Sequence, residues 1–232
     1  MNKTKNYWRK TKTTGASVSL VPRVFMSYNV LNLLTTFIKM SRKYKIYDQN
    51  RPYFITSTIV NWIDLFTRNE YRNVLIESLN YCRQNKGLLL YAYCIMTNHV
   101  HLIVGRKEKK LESIIRDFKS FTSRELRKTI EKNAQESRKE WILEMMYKAG
   151  LSKGSNKDFQ LWQHHYHPIE LSSEYLFEQK LDYIHLNPVK AGFVNKAEDY
   201  LYSSAKNYAG LQGIIELDVD VNYLSRAGRS RY

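Results

Sequence analysis

The chain has 232 residues, of which 43% are hydrophobic, and this allows one domain with a real core. Lys and Arg outnumber Asp and Glu by 37 to 22, so the formal charge of +15 at pH 7 indicates a polyanionic partner. The apolar stretch 16–38 is interrupted by Pro22, Arg23 and Asn29, which excludes a convincing membrane span. The 18 tyrosines suit stacking on unpaired bases and favour a nucleic acid as the partner.

The first 39 residues differ in character from the rest of the chain. Their start is basic and polar, and the interrupted apolar stretch follows it. We interpret residues 1–39 as an N-terminal extension, either disordered or upstream sequence included by an early start codon. Met40 begins a segment typical of a domain start. The main domain is therefore expected at 40–210, followed by a C-terminal tail at 211–232.

The first elements of this domain alternate between strand and helix patterns. Residues 52–60 are rich in β-formers and predict a first strand. An apolar helical stripe predicts a helix over 70–85, ending before a glycine. Two further apolar runs, 88–96 and 99–104, flank a Thr-Asn turn and predict a β-hairpin.

Longer helices and one extended segment complete the predicted order. Residues 110–132 read as an amphipathic helix, and a shorter helical piece surrounds Trp141. Residues 161–171 are expected to be extended. Residues 172–192 predict a helix with a serine as its N-cap, which Pro188 should end or kink. This β-α-β-β-α order favours an α+β fold, with a ferredoxin-like (RRM-like) antiparallel sheet and helices packed on one face.

The two cysteines lie in different elements of this prediction. Cys82 falls in the first helix and Cys94 in the strand that follows it, and neither belongs to a C-x-x-C motif. We interpret both as reduced thiols in the core of a cytoplasmic protein.

The second strand of the hairpin carries two histidines separated by one residue. Side chains at i and i+2 of a strand share a face, so His99 and His101 project together, away from Val100 and Leu102. Two neutral imidazoles side by side are a natural pair of metal ligands. In isolation the pattern favours a half-exposed strand with two polar positions over a metal site.

The later helix adds residues that suit the same chemistry. In "LDYIHLNPVKAG", Tyr183 and Asn187 are four residues apart and share a helical face, and Lys190 lies near it if the helix continues past the proline. A tyrosine becomes a useful nucleophile toward a phosphodiester only when it is activated, and a divalent metal can polarise the phosphate. Two imidazoles and an amide oxygen suit Mg²⁺ or Mn²⁺ better than a structural zinc site.

Two motifs together carry a family resemblance. "MTNHVHLIV" followed by "DYIHLNPVKAG" resembles the HUH single-strand transposases, and most closely the REP-associated tyrosine transposases. The segments "LWQHHYHPI" and "YLYSSAKNY" are also similar to family motifs. The resemblance covers roughly Met40 to Gly210. Residues 1–39 and an insertion at about 131–160 lack counterparts in short members of the family.

This resemblance implies a function and a site. It implies a catalytic domain that binds hairpin-forming single-stranded DNA and cleaves it through a 5′-phosphotyrosine, leaving a free 3′-OH. The nucleophile maps onto Tyr183, and the ligands of Mg²⁺ or Mn²⁺ map onto His99, His101 and Asn187. It also implies a bacterial, cytoplasmic and nucleoid-associated protein, and it allows a homodimer.

Basic and polar residues outside this set are expected to contact DNA. These are Lys107, Lys109, Lys110, Arg116, Lys119, Arg124, Trp162, Gln163 and Lys190. The histidines at 164, 165 and 167 fit either a second metal site or solvent-facing imidazoles near phosphate. His185 is two residues from Tyr183 and so lies on another helical face, which favours a structural role or a DNA contact.

Two other functions stay open on the sequence. One is a protein that binds hairpin DNA without cutting it. The other is a replication or mobilisation nickase of the same superfamily. The presence of Tyr183, His99, His101 and Asn187 favours an enzyme over the binding protein, and the sequence offers no helicase or primase region to support the nickase.

Overall fold

A computed structural model describes residues 46–151, 159–164 and 166–219 of the chain. The predicted extension 1–39, His165 and the end of the predicted tail lie outside the described residues. The elements follow in the order β1 (Tyr53–Thr58), α1 (Asn69–Lys86), β2 (Leu88–Ile95), β3 (His99–Arg106), α2 (Leu111–Lys132), α3 (Lys139–Leu151), β4 (Ile169–Glu170), α4 (Glu174–Lys190) and α5 (Ala205–Tyr208).

The four strands form one antiparallel sheet in the order β2-β3-β1-β4. The central pair β1 and β3 is in register over the whole of β1, with Ile55 opposite Leu102 and Thr56 opposite His101. Because β1 and β2 are joined through α1 and β3 lies between them, the topology is that of the ferredoxin-like fold. The predicted α+β, ferredoxin-like class is confirmed.

The two faces of the sheet are covered by different helices. α1 and α2 pack against each other and cover the face that carries Ile55 and Leu102, both fully buried. α4 lies over the other face, against β2 and β3. The prediction placed the helices on one face. The second face also needs cover because Phe54 and Ile103 point to it and are buried there.

The helix ends follow local chemistry, with one difference from the expectation. α1 ends at Gly87, whose φ of 74° is the left-handed conformation that glycine adopts freely. α4 begins after Ser173, whose hydroxyl accepts a hydrogen bond from the Leu176 N–H at 3.2 Å. Pro188 does not stop α4, which continues to Lys190. The proline lies in the last turn, where it removes only one helical N–H.

The outer edge of β2 is covered by the chain that follows α4. The Ile95 N–H donates to the Tyr202 carbonyl at 2.9 Å, and the Ser204 N–H donates to the Tyr93 carbonyl at 2.9 Å. Farther along, the Asp218 carboxylate accepts from the Leu90 N–H at 2.9 Å. These contacts satisfy backbone groups that an open sheet edge would expose.

The residues between α2 and α3 form a buried ionic cluster. Glu136 is 3% exposed and accepts hydrogen bonds from Arg68 Nε and Arg138 Nε, both at 3.0 Å. Burial alone would raise the pKa of Glu136, but the hydrogen bonds and charges of Arg138, with the charge of Arg68, lower it. Arg68 precedes α1, so this cluster ties the α2–α3 connection to the first half of the domain.

Both cysteines are buried as free thiols, as predicted. Burial raises the pKa of the Cys82 thiol to about 11 and that of Cys94 to about 12, so neither is a reactive thiolate near neutral pH. In the part of the chain that the structure describes, every helix is too short or too polar to cross a membrane.

Candidate metal and tyrosine site

The two histidines of β3 lie against each other on the face that α4 covers. Their Nε2 atoms are 3.0 Å apart, and their rings meet edge to face with centroids 4.6 Å apart. His101 is only 3% exposed, whereas His99 is half-buried at the start of the strand. The predicted same-face arrangement of His99 and His101 is therefore present.

Hydrogen bonds fix the other nitrogen of each ring. His101 Nδ1 lies 2.8 Å from the hydroxyl of Thr56, the residue of β1 that is opposite His101 in the sheet. His99 Nδ1 lies 2.6 Å from Oδ1 of Asn98. The Asn98 amide nitrogen donates to Asp64 at 3.1 Å, so its oxygen is left to accept from a protonated His99 Nδ1. This network leaves the Nε2 lone pair of His99 unprotonated.

Both imidazoles are kept neutral. Burial lowers the pKa of His99, and the nearby carboxylate of Asp64 offsets part of this effect. Burial lowers the pKa of His101 to about 3, and electrostatic interactions with the neighbouring His99 and Lys180 lower it further. Neutral imidazole is the form that binds metal ions.

α4 brings a stripe of four residues to the histidines. Lys180, Tyr183, Asn187 and Lys190 follow helical spacing along one side of α4. Asn187 Nδ2 lies 3.2 Å from His101 Nε2, and the Tyr183 ring packs edge-on against the His101 ring with centroids 5.1 Å apart. The sequence prediction of one constellation is therefore realised in space, although its chemistry stays a proposal.

Phe54 and Lys180 belong to this site and were missed from the sequence. The Phe54 ring stacks on His101 at 5.5 Å and meets Tyr183 edge-on at 5.8 Å. The Lys180 ammonium lies 5.1 Å from the Phe54 ring centroid and 5.7 Å from that of Tyr183. The spacing of Lys180, three residues before Tyr183, was the available signal. Phe54 gave none, because only the β1–β3 register places it beside His101.

The donor set fits an octahedral divalent cation. Two nitrogens in adjacent positions of an octahedron with bonds of about 2.1 Å are about 3.0 Å apart, which matches the Nε2 separation of His99 and His101. Turning the Asn187 amide would present its oxygen in place of its nitrogen. Across the described residues no three His, Cys, Asp or Glu side chains cluster as a metal site.

The expected DNA contacts do not all lie near this site. Lys190 extends the α4 stripe and is exposed. Lys107, Lys109 and Lys110 are exposed beyond the opposite end of β3 from His99. At the rise of a strand, even Lys107 is roughly 25 Å from His99. These lysines contact a DNA strand bound at the site only if that DNA runs along the length of the sheet.

A basic groove of about 590 Å³ lies between α2 and the segment 159–166. Its lining includes Arg116, Lys119, Arg124, Arg127, Gln163, His164 and Tyr166. Lys119, which was expected to contact DNA, is half-buried in this groove. Its ammonium donates to the Gln163 carbonyl at 2.9 Å and lies 5.5 Å from the Tyr166 ring centroid. Burial lowers the pKa of Lys119 to about 8.

Trp162 was expected to contact DNA, but the structure places it in the core. It is 5% exposed, lies between Phe66 and Phe118, and donates from Nε1 to the Thr122 hydroxyl at 3.0 Å. The indole is therefore unavailable for stacking on a base. The half-buried Gln163 and the exposed His164 are the positions of this motif that offer polar groups to the groove instead.

The remaining histidines separate into two groups. His185 is buried, with its Nε2 2.9 Å from the Ser204 hydroxyl and its ring against Tyr208, which supports the structural alternative. His164 and His167 are exposed, as the solvent-facing alternative expected.

Residues 63–159 match the family model described as "Transposase IS200 like". This match confirms the resemblance to the single-strand transposases that the motifs indicated. It includes His99 and His101, whereas Tyr183 and Asn187 lie beyond its end. It also runs through almost all of the predicted insertion at 131–160.

Solved structures supply further similarities. A REP-associated tyrosine transposase bound to a REP hairpin is 18% identical with a TM-score of 0.48, covering 76% of this chain and 92% of that chain. A bacterial tRNA(His) guanylyltransferase-like protein in complex with GTP is 8% identical with a TM-score of 0.36, covering 70% and 74%. A bacterial tRNA(His) guanylyltransferase-like protein in complex with ATP is also 8% identical with a TM-score of 0.36, covering 74% of this chain and 73% of that chain. No curated protein matches the sequence.

Proposed function

We propose that this protein is a metal-dependent, single-stranded DNA endonuclease and strand transferase that recognises hairpin DNA and cleaves through a 5′-phosphotyrosine. The observation that carries the proposal is the convergence of Tyr183 and Asn187 from α4 on His101 and its neighbour His99. Every residue in the proposal lies within the expected domain 40–210. The transposase family match over 63–159 supports the same class of activity.

In the proposed reaction, the Tyr183 oxygen attacks a backbone phosphorus. A tyrosine–phosphorus bond forms while the bond from phosphorus to the 3′ oxygen breaks. The phenolic proton passes to solvent, and the departing 3′ oxygen takes up a proton to become a 3′-OH. Attack of a 3′-OH on the phosphotyrosine reverses these steps and rejoins strands, which is the transfer activity.

His99, His101 and Asn187 would hold the Mg²⁺ or Mn²⁺ ion. The bound ion supplies charge that polarises the phosphate and offsets the charge developing on it. The protein contributes rigidity, because Thr56 and Asn98 fix the two rings and Phe54 packs against both His101 and Tyr183. Such fixed orientation of ligands raises metal affinity.

Lys180 completes the proposed site as a second positive charge. Its ammonium lies beside the Tyr183 ring rather than in an ion pair within the described residues. A cation at this position would attract the phosphate that Tyr183 attacks and would stabilise its developing charge. Lys190, which follows Asn187 in the α4 stripe, would hold the neighbouring phosphates of the DNA strand.

The test uses the full chain and a library of hairpin oligonucleotides with randomised single-stranded flanks, labelled at either end. With Mn²⁺, the 3′-labelled piece should remain attached to protein on a denaturing gel. The 5′-labelled piece should be released with a 3′-OH that a polymerase can extend. Chelation with EDTA should abolish both products.

Other outcomes contradict the proposal. Release of 5′-phosphate ends without an adduct would indicate a hydrolytic nuclease. Tight hairpin binding with no cleavage under any divalent ion would indicate the non-cleaving DNA-binding protein instead.

A further inference from the structure

Trp62 is a large aromatic side chain exposed to solvent in the turn that follows β1. It is 62% exposed, although tryptophan is highly buried on average. Val60 and Ile63 on either side of the turn are buried in the core, whereas Asn61 is exposed together with Trp62.

The backbone that presents Trp62 is both unfavourable and firmly held. Asn61 and Trp62 each have a φ of 55°, in the left-handed region that bulky residues avoid. Backbone hydrogen bonds anchor the segment on both sides, from Ile59 N–H to the Asn98 carbonyl at 2.9 Å and from Phe66 N–H to the Thr97 carbonyl at 2.7 Å. Conformations of this kind persist where the surroundings enforce them, and they cluster at functional sites.

The same turn is linked to the metal-ligand candidate His99. The Asn98 amide nitrogen donates to the Trp62 carbonyl at 3.4 Å, and the Asn98 amide oxygen lies 2.6 Å from His99 Nδ1. Asn98 therefore connects the backbone of the Trp62 turn to the His99 imidazole through one side chain.

We propose that the indole of Trp62 is a stacking platform for an unpaired base of the DNA strand that enters the histidine site. This inference rests on the proposed function, since it takes single-stranded DNA as the ligand. Every base offers a π-face, so stacking adds affinity with little sequence selectivity. The enforced turn would hold the indole in place before DNA arrives, which avoids an ordering cost on binding.

The test measures binding without cleavage, in a Tyr183→Phe background with EDTA. The probe is single-stranded oligo-dT carrying one 2-aminopurine, moved along the strand. Trp62→Ala should weaken binding by about 5- to 150-fold, the range expected for one stacked base. Trp62 should quench the fluorescence of 2-aminopurine at one position of the strand, and Trp62→Ala should abolish this quenching.

Trp62→Gly is a second variant that separates function from folding. Glycine adopts positive φ without strain, so this variant should unfold at the same or a higher temperature while binding oligo-dT as weakly as Trp62→Ala. A tryptophan needed only for the fold would give the opposite result, lower thermal stability with unchanged affinity. Tyr81 is an exposed aromatic residue of α1, on the other side of the sheet. Tyr81→Ala should therefore leave binding unchanged.

The remaining outcomes overturn the inference or separate it from the proposed function. Self-association that Trp62→Ala abolishes, with unchanged DNA affinity, would assign the indole to a protein interface. Normal adduct formation with no effect of Trp62→Ala would refute the stacking role and leave the proposed cleavage intact. Weakened binding in a protein that never forms an adduct would support stacking and refute the cleavage.

Discussion

His99 Nε2 and His101 Nε2 face each other at 3.0 Å, while the Nδ1 atom of each ring is engaged by Asn98 or Thr56. If both Nδ1 atoms carry the proton, two lone pairs point at one another. That arrangement is repulsive on its own and becomes favourable when a cation accepts both lone pairs. This geometry supports the proposal that the two imidazoles share a metal ion.

Removal of one of the two imidazoles should abolish cleavage and metal binding while sparing DNA binding. We expect His101→Ala to show no Mn²⁺ binding by calorimetry and no adduct, because one metal ligand is removed. Affinity for hairpin DNA should persist, since that energy comes from many phosphate contacts. His167→Ala, which removes an exposed histidine, is the matched control. Full cleavage by a folded His101→Ala protein would exclude this metal site.

The role proposed for Lys180 can be separated from its packing. Lys180→Met keeps a long apolar stem against Phe54 and Tyr183 but removes the charge, so we expect normal folding and cleavage slowed about 100-fold. Lys180→Arg should restore much of the rate. The measurement is single-turnover adduct formation at saturating DNA. Lys148→Ala, an exposed lysine of α3 paired with Glu144, should cleave normally. An unchanged rate in Lys180→Met would mean that the charge of Lys180 does not contribute to cleavage.

The basic groove beside α2 should bind phosphates of the DNA backbone. Binding is expected to weaken steeply with salt and to favour single-stranded or hairpin DNA over a blunt duplex. Replacing Arg116 and Arg124 together with alanine should reduce the slope of log K against log[salt] by about 2, because each arginine neutralises about one phosphate. Lys148→Ala again serves as the control. An unchanged slope in the double variant would mean that DNA bypasses this groove.

Glu136 should make stability depend on acid pH. Its pKa is lowered in the folded protein, so its contribution is complete above the unfolded value of about 4.3 and is lost as pH falls through the folded value. Glu136→Gln should cost about 1–3 kcal/mol at pH 7, a moderate figure because Arg68 and Arg138 are partly exposed. The melting temperature of this variant should fall less between pH 7 and pH 3 than that of the wild type. Parallel curves would contradict the assignment.

The parts of the fold that depend on local pattern were predictable. Strands β1 to β3 and helices α1, α2 and α4 lie within a few residues of their predicted bounds, because their periodicity is long and uninterrupted. Within the site, the pairing of His99 with His101 follows from the strand repeat and that of Tyr183 with Asn187 from the helical repeat. Both pairs are set by neighbours two to four residues apart.

The parts that depend on distant contacts were not predictable. Thr56 and Phe54 reach His101 only through the register of β1 with β3, which no local pattern encodes. The burial of Trp162 and the half-buried position of Lys119 were not foreseen for the same reason, since the segment around Trp162 packs onto α2. The exposed turn at Trp62 also depends on anchors from the β2–β3 connection, more than 30 residues away in sequence.

Tyr183→Phe tests the proposed nucleophile most directly. The change removes one oxygen and keeps a ring that packs against Phe54 and His101, so stability should barely change. We expect cleavage and covalent attachment to disappear together, while Mn²⁺ and hairpin DNA still bind. The measurements are adduct formation on a denaturing gel and binding by calorimetry.

Tyr175 provides the matched control for this substitution. It lies on the same helix, eight residues earlier, and is 72% exposed, so Tyr175→Phe should form the adduct at the wild-type rate. If Tyr183 were only a packing or stacking residue, phenylalanine would serve nearly as well and Tyr183→Phe would remain active. The 18 tyrosines of the chain make direct identification necessary. A peptide map of the trapped adduct should place the nucleotide on Tyr183, and attachment to any other tyrosine would refute the assignment.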